Sequence, residues 1–479
     1  MEVVTEKEKD NIQLTPQEQK LATKGVPKLL LAYAIPTIIG MLVNALYVVV
    51  DKFLIGQIPY IGSYALTGVG FAAPVINISS SFAIMVGIGA AATISIALGN
   101  REREKAEQIL GNALVLNILF AVVLTIIGFF ALEPILVLMG ATYETLPFSL
   151  EYSRIIMAGI IMLFMSFSMN HPIRATGNPK RFASAQLLGA ILNIILSPLF
   201  IFVFGWGIAG AAYATLVAQG VTALWVMSFY ISMPKIRFFA NGSPVKLKKK
   251  NLKLKKSIVL AICSIGIAPF FMQVLGSTVI IVANHALLRY GYIEFGSGAA
   301  AVGAFTVIGS VSMLFLMPIF GINQGSQPII GFNYGAKNMD RVKQAYKWAV
   351  IYSATITVTG FILVQLFAPL LMQMFVDDAL MTEIGSVGMR IILFSMPIAG
   401  FQVNSAGLFL AIGRAKVSLF LSVLRQGILL IPLYFLLPRF LGFMGIWYAM
   451  PIADTLSAVI TFTMVMRELK SLTNNNKLL

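Results

Sequence analysis

The sequence is poor in charged residues and has very few of the side chains that build disulfide-bonded or metal-binding sites. Only 11% of its 479 residues are Asp, Glu, Lys or Arg, whereas soluble domains carry about 25%. Its one cysteine, Cys263, cannot form an intrachain disulfide, and we interpret it as a small buried hydrophobe. The two histidines, His171 and His285, are far apart in sequence, and we interpret both as core residues.

Motifs for enzymatic chemistry are missing as well. The sequence has no GxxxxGK[ST] loop for ATP, no HExxH for zinc and no GxSxG for a nucleophilic serine. The net charge of +16 does not indicate nucleic acid, because the basic residues lie between apolar runs and no recognition motif accompanies them. We therefore expect no enzyme, no resident metal or cofactor, and no nucleic-acid partner.

Long apolar runs are what the sequence does have. Hydrophobic residues make up 58% of the chain and fall in runs of the length that a helix needs to cross about 30 Å of hydrocarbon. Backbone groups in lipid must be satisfied within the segment, and the alternation typical of barrel strands is missing. The sequence predicts an all-α integral membrane protein in contact with the lipid bilayer. Its twelve spans are predicted at 29–55, 65–93, 106–131, 147–170, 182–204, 207–231, 257–288, 297–322, 344–367, 384–404, 416–437 and 444–466.

The basic residues predict how the chain is oriented. Segments that share the side of the N-terminus hold 29 of the 35 lysines and arginines, which places that side in the cytoplasm. We expect a multi-pass protein of the cell membrane with both termini cytoplasmic. The predicted units are a tail, a six-helix lobe, a basic cytoplasmic linker, a second six-helix lobe and a cytoplasmic tail, at 1–27, 28–231, 232–256, 257–468 and 469–479.

The two predicted lobes are related by an internal repeat. Matching residues recur 236 positions apart, as in Gly99 and Gly335, Arg101 and Lys337, Gln108 and Gln344, Arg154 and Arg390, Gly177 and Gly413, and Lys180 and Lys416. Six spans return the chain to its starting side, so the repeats run parallel and are related by an axis along the membrane normal. This arrangement predicts a substrate path between the lobes near the middle of the membrane.

Asp51 is the foremost candidate for a functional charge. It lies in the first apolar run, and a charge at the bilayer centre costs about 2.5–3.5 kcal/mol on insertion scales. Asn44, Tyr47 and Asp51 are three and four residues apart, so they form a polar stripe on one helix face. The alternative is an interfacial residue paired with Lys52, although adjacent helical residues point about 100° apart.

A second intramembrane acid, Asp454, is open to two interpretations. Arg425 in the preceding predicted span can neutralise it, so a structural ion pair and a functional role are equally supported. Amide side chains within spans are candidates to line a substrate cavity, although a helix–helix hydrogen bond explains each one individually. The candidates are Asn77, Gln273, Asn284 and Gln402.

Three stretches resemble the multidrug and toxic compound extrusion (MATE) transporters, and are most similar to their MepA-like bacterial branch. They are LYVVVDKFLIG at 46–56, IRATGNPK at 173–180 and QGSQPIIGFNYGA at 324–336. The resemblance runs from about residue 28 to 468. It implies a fold of twelve helices in two lobes and the export of amphipathic, often cationic drugs or toxins in exchange for protons or sodium.

The resemblance also implies roles for particular residues. The family's coupling carboxylate falls on Asp51 and its bending proline on Pro36. In the fifth span Asn193 is kept, but Ser197 stands before Pro198, where the family commonly has a second acid. Asp51 is then expected to act with neutral partners, or to hold sodium together with other oxygens.

Two rival functions remain open. A lipid-linked sugar flippase of the same superfamily is expected to show extra spans or a more cationic cavity, and the sequence shows neither. A membrane-embedded enzyme or receptor would need a cluster of catalytic groups. We expect a monomer.

Overall fold

The computed structural model describes residues 15–139, 141, 143–231, 243–375 and 378–475, and this part of the chain folds into helices without strands. Eleven of its helices are long and apolar enough to cross a membrane. A helix pair, Leu146–Ala158 and Ile160–Ala175, bent by 57°, provides the twelfth span. The predicted all-α membrane fold is confirmed.

The spans are numbered here in chain order, and most begin and end a few residues beyond their predicted limits. They are span 1, Val26–Gly56; span 2, Gly62–Gly99; span 3, Arg103–Leu138; span 4, Leu146–Ala158 with Ile160–Ala175; span 5, Pro179–Val203; span 6, Gly207–Tyr230; span 7, Lys256–Phe295; span 8, Gly298–Gly335; span 9, Met339–Gln373; span 10, Ala379–Ala411; span 11, Ala415–Leu441; and span 12, Met444–Asn475. The helices continue beyond the limits predicted from the apolar runs.

The repeat seen in the sequence recurs in the backbone. Arg101 and Lys337, 236 positions apart, both adopt positive φ, at 60° and 59°. Gly177 and Gly413 do the same at 88° and 76°. The fifth helix of each lobe also widens into a π-helical stretch, at Leu199–Val203 and Leu424–Leu430. The same helix ends and irregularities therefore occur in both lobes.

The packing differs between the two ends of the bundle. We call the end that carries the N-terminal residues of span 1 and span 7 the basic half, and the other end the opposite half. In the basic half one apolar core joins the lobes and includes Leu30, Leu98, Ile262 and Ile329. In the opposite half the first lobe packs around Ile55 and Ala211, and the second lobe has a core of its own around Trp447 and Tyr434. The lobes are thus joined at the basic half and separate towards the opposite half.

A short helix, Pro16–Thr23, precedes span 1 and lies across the basic half. Its capping box joins Thr15 and Glu18, and Glu18 also forms a 2.7 Å ion pair with Arg103 in the first lobe. The carbonyl oxygen of Leu21 accepts a 3.0 Å hydrogen bond from Arg341 in the second lobe. Part of the segment predicted as a tail is therefore a helix held by both lobes, while residues 1–14 lie outside the described part.

The linker between the lobes packs on the first lobe over its described residues, 243–255. Lys248 pairs with Glu107 at 2.6 Å and Lys250 with Glu104 at 2.8 Å, both in the first turns of span 3. Residues 232–242 of the predicted linker and 476–479 of the predicted C-terminal tail lie outside the described residues.

Candidate functional site

Asp51 lies inside the first lobe, where span 1 packs on span 5, and its side chain is almost completely buried, with 7% exposed. The Ser197 hydroxyl donates a 2.9 Å hydrogen bond to Asp51 Oδ1. The same hydroxyl is 3.4 Å from Asn193 Oδ1, and Asn193 Nδ2 donates to Thr215 Oγ1 of span 6 at 3.1 Å. Among the described residues no basic side chain forms an ion pair with Asp51. The site is therefore a buried carboxylate with neutral oxygen neighbours.

The stripe predicted on span 1 completes this cluster. Tyr47 lies close to both Asn44 and Asp51, near enough to interact with the Asp51 charge. The structure thus brings together the five residues predicted to take part in coupling, which are Asn44, Tyr47, Asp51, Asn193 and Ser197. The alternative prediction, an interfacial Asp51 paired with Lys52, does not match this geometry. Their role in ion binding stays a prediction.

Two members of the cluster were not predicted from the sequence. Tyr152 of span 4 is buried, with 8% exposed, and interacts with Asp51, Tyr47 and Thr215. Thr215 of span 6 connects Tyr152 to Asn193. The only sequence signal for either residue was its polarity within a predicted span, which many helix–helix contacts share.

Asp454 in the second lobe has a different environment. Arg425 Nε lies 2.7 Å from Asp454 Oδ1, and the Ser395 hydroxyl donates a 2.8 Å hydrogen bond to Oδ2. Both carboxylate oxygens are thus engaged, and the geometry favours the structural ion pair over the functional role. Gln402 Nε2 donates to the Asp454 carbonyl oxygen at 2.7 Å, which engages this predicted cavity residue within the second lobe.

The other three predicted cavity amides lie on spans 2 and 7, which pack against each other across the lobe boundary. Phe82 of span 2 and Phe270 of span 7 contact each other, with ring centroids 5.0 Å apart in an edge-to-face arrangement. Asn77 and Gln273 lie one turn further along the two helices, and Asn284 lies further still. Asn77 is exposed, and the other two are half-buried. We call the pair Phe82 and Phe270, which the sequence did not single out, the aromatic floor.

On the side of Phe82 and Phe270 that faces the basic half, close helix crossings and one buried arginine hold the lobes together. A Cβ on Gly99 would collide with the Phe332 carbonyl oxygen, and a Cβ on Gly335 with that of Ile96. Arg174, which is 1% exposed, donates a 2.6 Å hydrogen bond to Gln324 of the other lobe. Two of the motifs quoted above, at 173–180 and 324–336, therefore meet at the lobe boundary. His171, as interpreted from the sequence, is a buried core residue. His285 is exposed on span 7, so the same interpretation was wrong for it.

Two repeated six-helix lobes, joined at one end and carrying a buried acid inside the first lobe, define a membrane transporter with two pseudo-symmetric lobes. The MatE family model matches residues 36–199 and 291–436. The chain belongs to the MatE family, as the resemblance predicted, and it is a transporter rather than an enzyme.

Known proteins similar to this chain cover nearly all of it. The multidrug export protein MepA of Staphylococcus aureus (strain MRSA252) is 24% identical over 438 residues, which are 91% of this chain and 93% of the relative. A solved structure described as the outward-facing conformation of a multidrug resistance MATE family transporter of the MOP superfamily has a TM-score of 0.87 at 25% identity, covering 97% of this chain and all of its own. A MOP superfamily transporter from Pyrococcus furiosus, whose description reports reverse polarity of the binding pocket and suggests a different function, also has a TM-score of 0.87 at 25% identity, covering 96% of this chain and 100% of its own.

Proposed function

We propose that this protein is a secondary active antiporter that exports small amphipathic, often cationic, organic compounds across the cell membrane in exchange for protons or sodium. The observation that carries the proposal is the burial of Asp51 beside Ser197 without an ion-pair partner among the described residues. The names of the staphylococcal relatives, multidrug export proteins, support the substrate class.

Asp51 is proposed to couple ion entry to the change of conformation. An ionised carboxylate without a counter-ion is unfavourable in a low-dielectric interior, so the helices around it favour a state in which water or a cation reaches it. A proton neutralises the carboxylate directly. Sodium would use Asp51 together with the oxygens of Ser197 and Asn193, since unpaired carboxylate, hydroxyl and carbonyl oxygens suit a hard cation. Either ion removes the charge that opposes closure.

The space between spans 2 and 7 is proposed as the substrate path. Its floor, Phe82 and Phe270, offers aromatic faces and edges, and a cation over an aromatic face gains about 0.5–2 kcal/mol. The amides of Asn77, Gln273 and Asn284 add hydrogen-bonding groups without charge. A neutral and aromatic lining suits flat amphipathic cations better than the pyrophosphate of a lipid-linked sugar.

The positive-inside distribution is the basis for proposing that the basic half faces the cytoplasm. The lobes are joined in that half, so the conformation described here then faces outward. Span 1 is helical through Pro36, which has no N–H to donate to the carbonyl of Ala32. We propose that span 1 bends at Pro36 when the ion binds.

The energetics limit the ion stoichiometry. One proton entering down about one pH unit and about 100 mV provides about 3.7 kcal/mol, which supports an outward gradient of about 500-fold for a neutral compound. One-for-one exchange with a monovalent cation cancels the electrical part and leaves about tenfold. Steeper export of a cation then needs a second coupling ion.

The proposal is tested by ethidium efflux from proteoliposomes under a pure pH gradient and, separately, under a pure sodium gradient. Wild-type protein should respond to at least one gradient, and Asp51→Asn should lose that response while still binding ethidium. Asp340→Asn is the matched control, because it makes the same acid-to-amide change at a side chain that is 69% exposed. Undiminished gradient-driven efflux by Asp51→Asn would remove Asp51 from the mechanism, and no response to either gradient would refute antiport.

A further inference from the structure

A cavity of about 550 Å³ lies in the basic half of the first lobe, away from the Asp51 cluster. Its walls come from the helix Pro16–Thr23, span 1, the turn before span 5 and the end of span 6. Among the described residues, the lining contains four basic side chains and no carboxylate. The residues that line it are Gln17, Lys20, Lys24, Leu29, Ala32, Tyr33, Gly177, Asn178, Pro179, Lys180, Arg181, Ser228 and Phe229.

The charges of the three lysines in this cavity are not compensated by the described part of the chain. Lys20, Lys24 and Lys180 are exposed and form no ion pair with any described residue. Arg181 is fixed in place, since its guanidinium lies 3.6 Å from the centroid of the Trp225 ring and donates to Ser228 Oγ at 3.0 Å. Three lysines around one cavity without an ion-pair partner among the described residues favour a ligand that carries negative charge.

The second lobe shows that this charge excess is not a by-product of the repeat. Lys416 is the counterpart of Lys180, 236 positions along the chain. Beside Lys416, Arg414 is paired with Glu468 at 3.4 Å. In the second lobe, therefore, a carboxylate pairs with a basic residue in this region, whereas the lining of the first-lobe cavity contains no carboxylate among the described residues.

An apolar stripe leads away from the cavity and indicates what else the ligand carries. Ala32 lines the cavity, and further exposed apolar residues follow it at spacings of three and four along one face of span 1. They are Ile35, Ile39, Leu42 and Leu46. A molecule with an anionic head in the cavity and hydrocarbon chains along this stripe would satisfy both surfaces.

We propose that the cavity binds the headgroup of an anionic phospholipid, with the acyl chains lying along span 1. The headgroup phosphate lies among Lys20, Lys24, Lys180 and Arg181, as in the basic pockets that bind anionic headgroups on the cytoplasmic side of membrane proteins. Leu29, Tyr33 and Phe229 pack against the glycerol and the first methylenes. Free inorganic phosphate matches the charges but leaves the apolar stripe uncovered.

The bound phospholipid also affects the contact between the two lobes in the basic half. The helix Pro16–Thr23 forms one wall of the cavity, and its C-terminal end contacts the second lobe, where Arg341 donates to the Lys24 carbonyl oxygen at 2.7 Å. Neutralising Lys20 and Lys24 fixes this helix against both lobes. Anionic phospholipid therefore stabilises the conformation in which the basic half is joined.

The test is a binding measurement on the purified full chain, so it does not depend on the transported compound or on the coupling ion. Phosphatidylglycerol and phosphatidylcholine are titrated in detergent, and bound lipid is detected by native mass spectrometry and by the rise in thermal stability. Wild type should bind phosphatidylglycerol in preference to phosphatidylcholine. Lys20→Gln and Lys180→Gln should each weaken phosphatidylglycerol binding about fivefold, and the double variant should lose the preference.

Lys416→Gln is the control, since it removes an exposed lysine at the repeat-equivalent position, and it should bind phosphatidylglycerol as wild type does. Thermal unfolding without added lipid shows that each variant is folded. Equal binding of the two lipids by wild type, or wild-type affinity in the Lys20→Gln, Lys180→Gln double variant, overturns the proposal. Inorganic phosphate that stabilises the protein as much as phosphatidylglycerol at equal concentration overturns the assignment to a phospholipid.

Discussion

Gly89 of span 2 and Gly266 of span 7 face each other where the two lobes cross. A Cβ on Gly89 would lie 3.2 Å from the Gly266 amide nitrogen and would collide with the Ile262 carbonyl oxygen. A Cβ on Gly266 would collide with the Met85 carbonyl oxygen. The two helices are therefore in backbone contact, which small residues permit in membrane proteins. This crossing lies within the basic half, where the lobes are joined. A larger side chain at the crossing should therefore push the lobes apart there.

Replacing Gly89 by valine should open the basic half. The added side chain has no room against Ile262, so the two helices must move apart and the shared core must loosen. Cys263, the only cysteine in the chain, is partly buried against that core next to Ile262. We expect maleimide labelling of Cys263 to become several-fold faster in Gly89→Val.

Gly70→Val is the control for this measurement. It lies in the same span, but a Cβ there meets no atom within 4 Å, so labelling of Cys263 should stay at the wild-type rate. Equal labelling rates in Gly89→Val and wild type would show that the crossing does not hold the basic half together.

The two buried acids should respond in opposite ways to the same substitution. Asp51→Asn removes a charge that has no ion-pair partner among the described residues, so we expect unchanged or higher thermal stability. Asp454→Asn leaves Arg425 without its carboxylate, and breaking a buried pair costs about 3–5 kcal/mol. Thermal unfolding of the purified variants checks this difference.

A double variant separates the loss of the pair from the loss of a side chain. Asp454→Asn combined with Arg425→Met removes both charges, so its stability should return towards wild type. If Asp454→Asn proves no less stable than Asp51→Asn, the Arg425 pair is not the structural element described here.

Much of the fold was predictable because hydropathy decides which segments enter a bilayer. The bend in span 4 at Gly159 was not, since it depends on packing against neighbouring helices. The helix Pro16–Thr23 was missed because its sequence is polar and its position depends on tertiary contacts such as Glu18 with Arg103.

In the site, helical spacing placed Asn44, Tyr47 and Asp51 on one face, and the family resemblance pointed to Asn193 and Ser197. Tyr152 and Thr215 could not be predicted, because the sequence does not give the rotation of spans 4 and 6.

The aromatic floor predicts a selective loss of substrate affinity. If Phe270 contacts the transported cation, Phe270→Ala should raise the KM for ethidium about three- to tenfold with a smaller effect on the maximal rate. Phe129→Ala is the control, since this ring is 80% exposed on span 3 and should leave the KM unchanged. The same KM in Phe270→Ala and wild type would place the substrate elsewhere.

The serines beside the two acids should differ in their effect on transport. Ser197 donates to an acid that has no ion-pair partner among the described residues, whereas Ser395 donates to Asp454, which Arg425 already neutralises. A hydrogen bond to a charged group contributes about 1.5–3 kcal/mol, so Ser197→Ala should slow ion-driven ethidium efflux about tenfold or more. Ser395→Ala should stay within about twofold of wild type, because the ion pair remains. Efflux rates in proteoliposomes at one fixed ion gradient compare the two variants directly. Equal effects would mean that the environment of Asp51 has no special part in coupling, even though the carboxylate itself is buried.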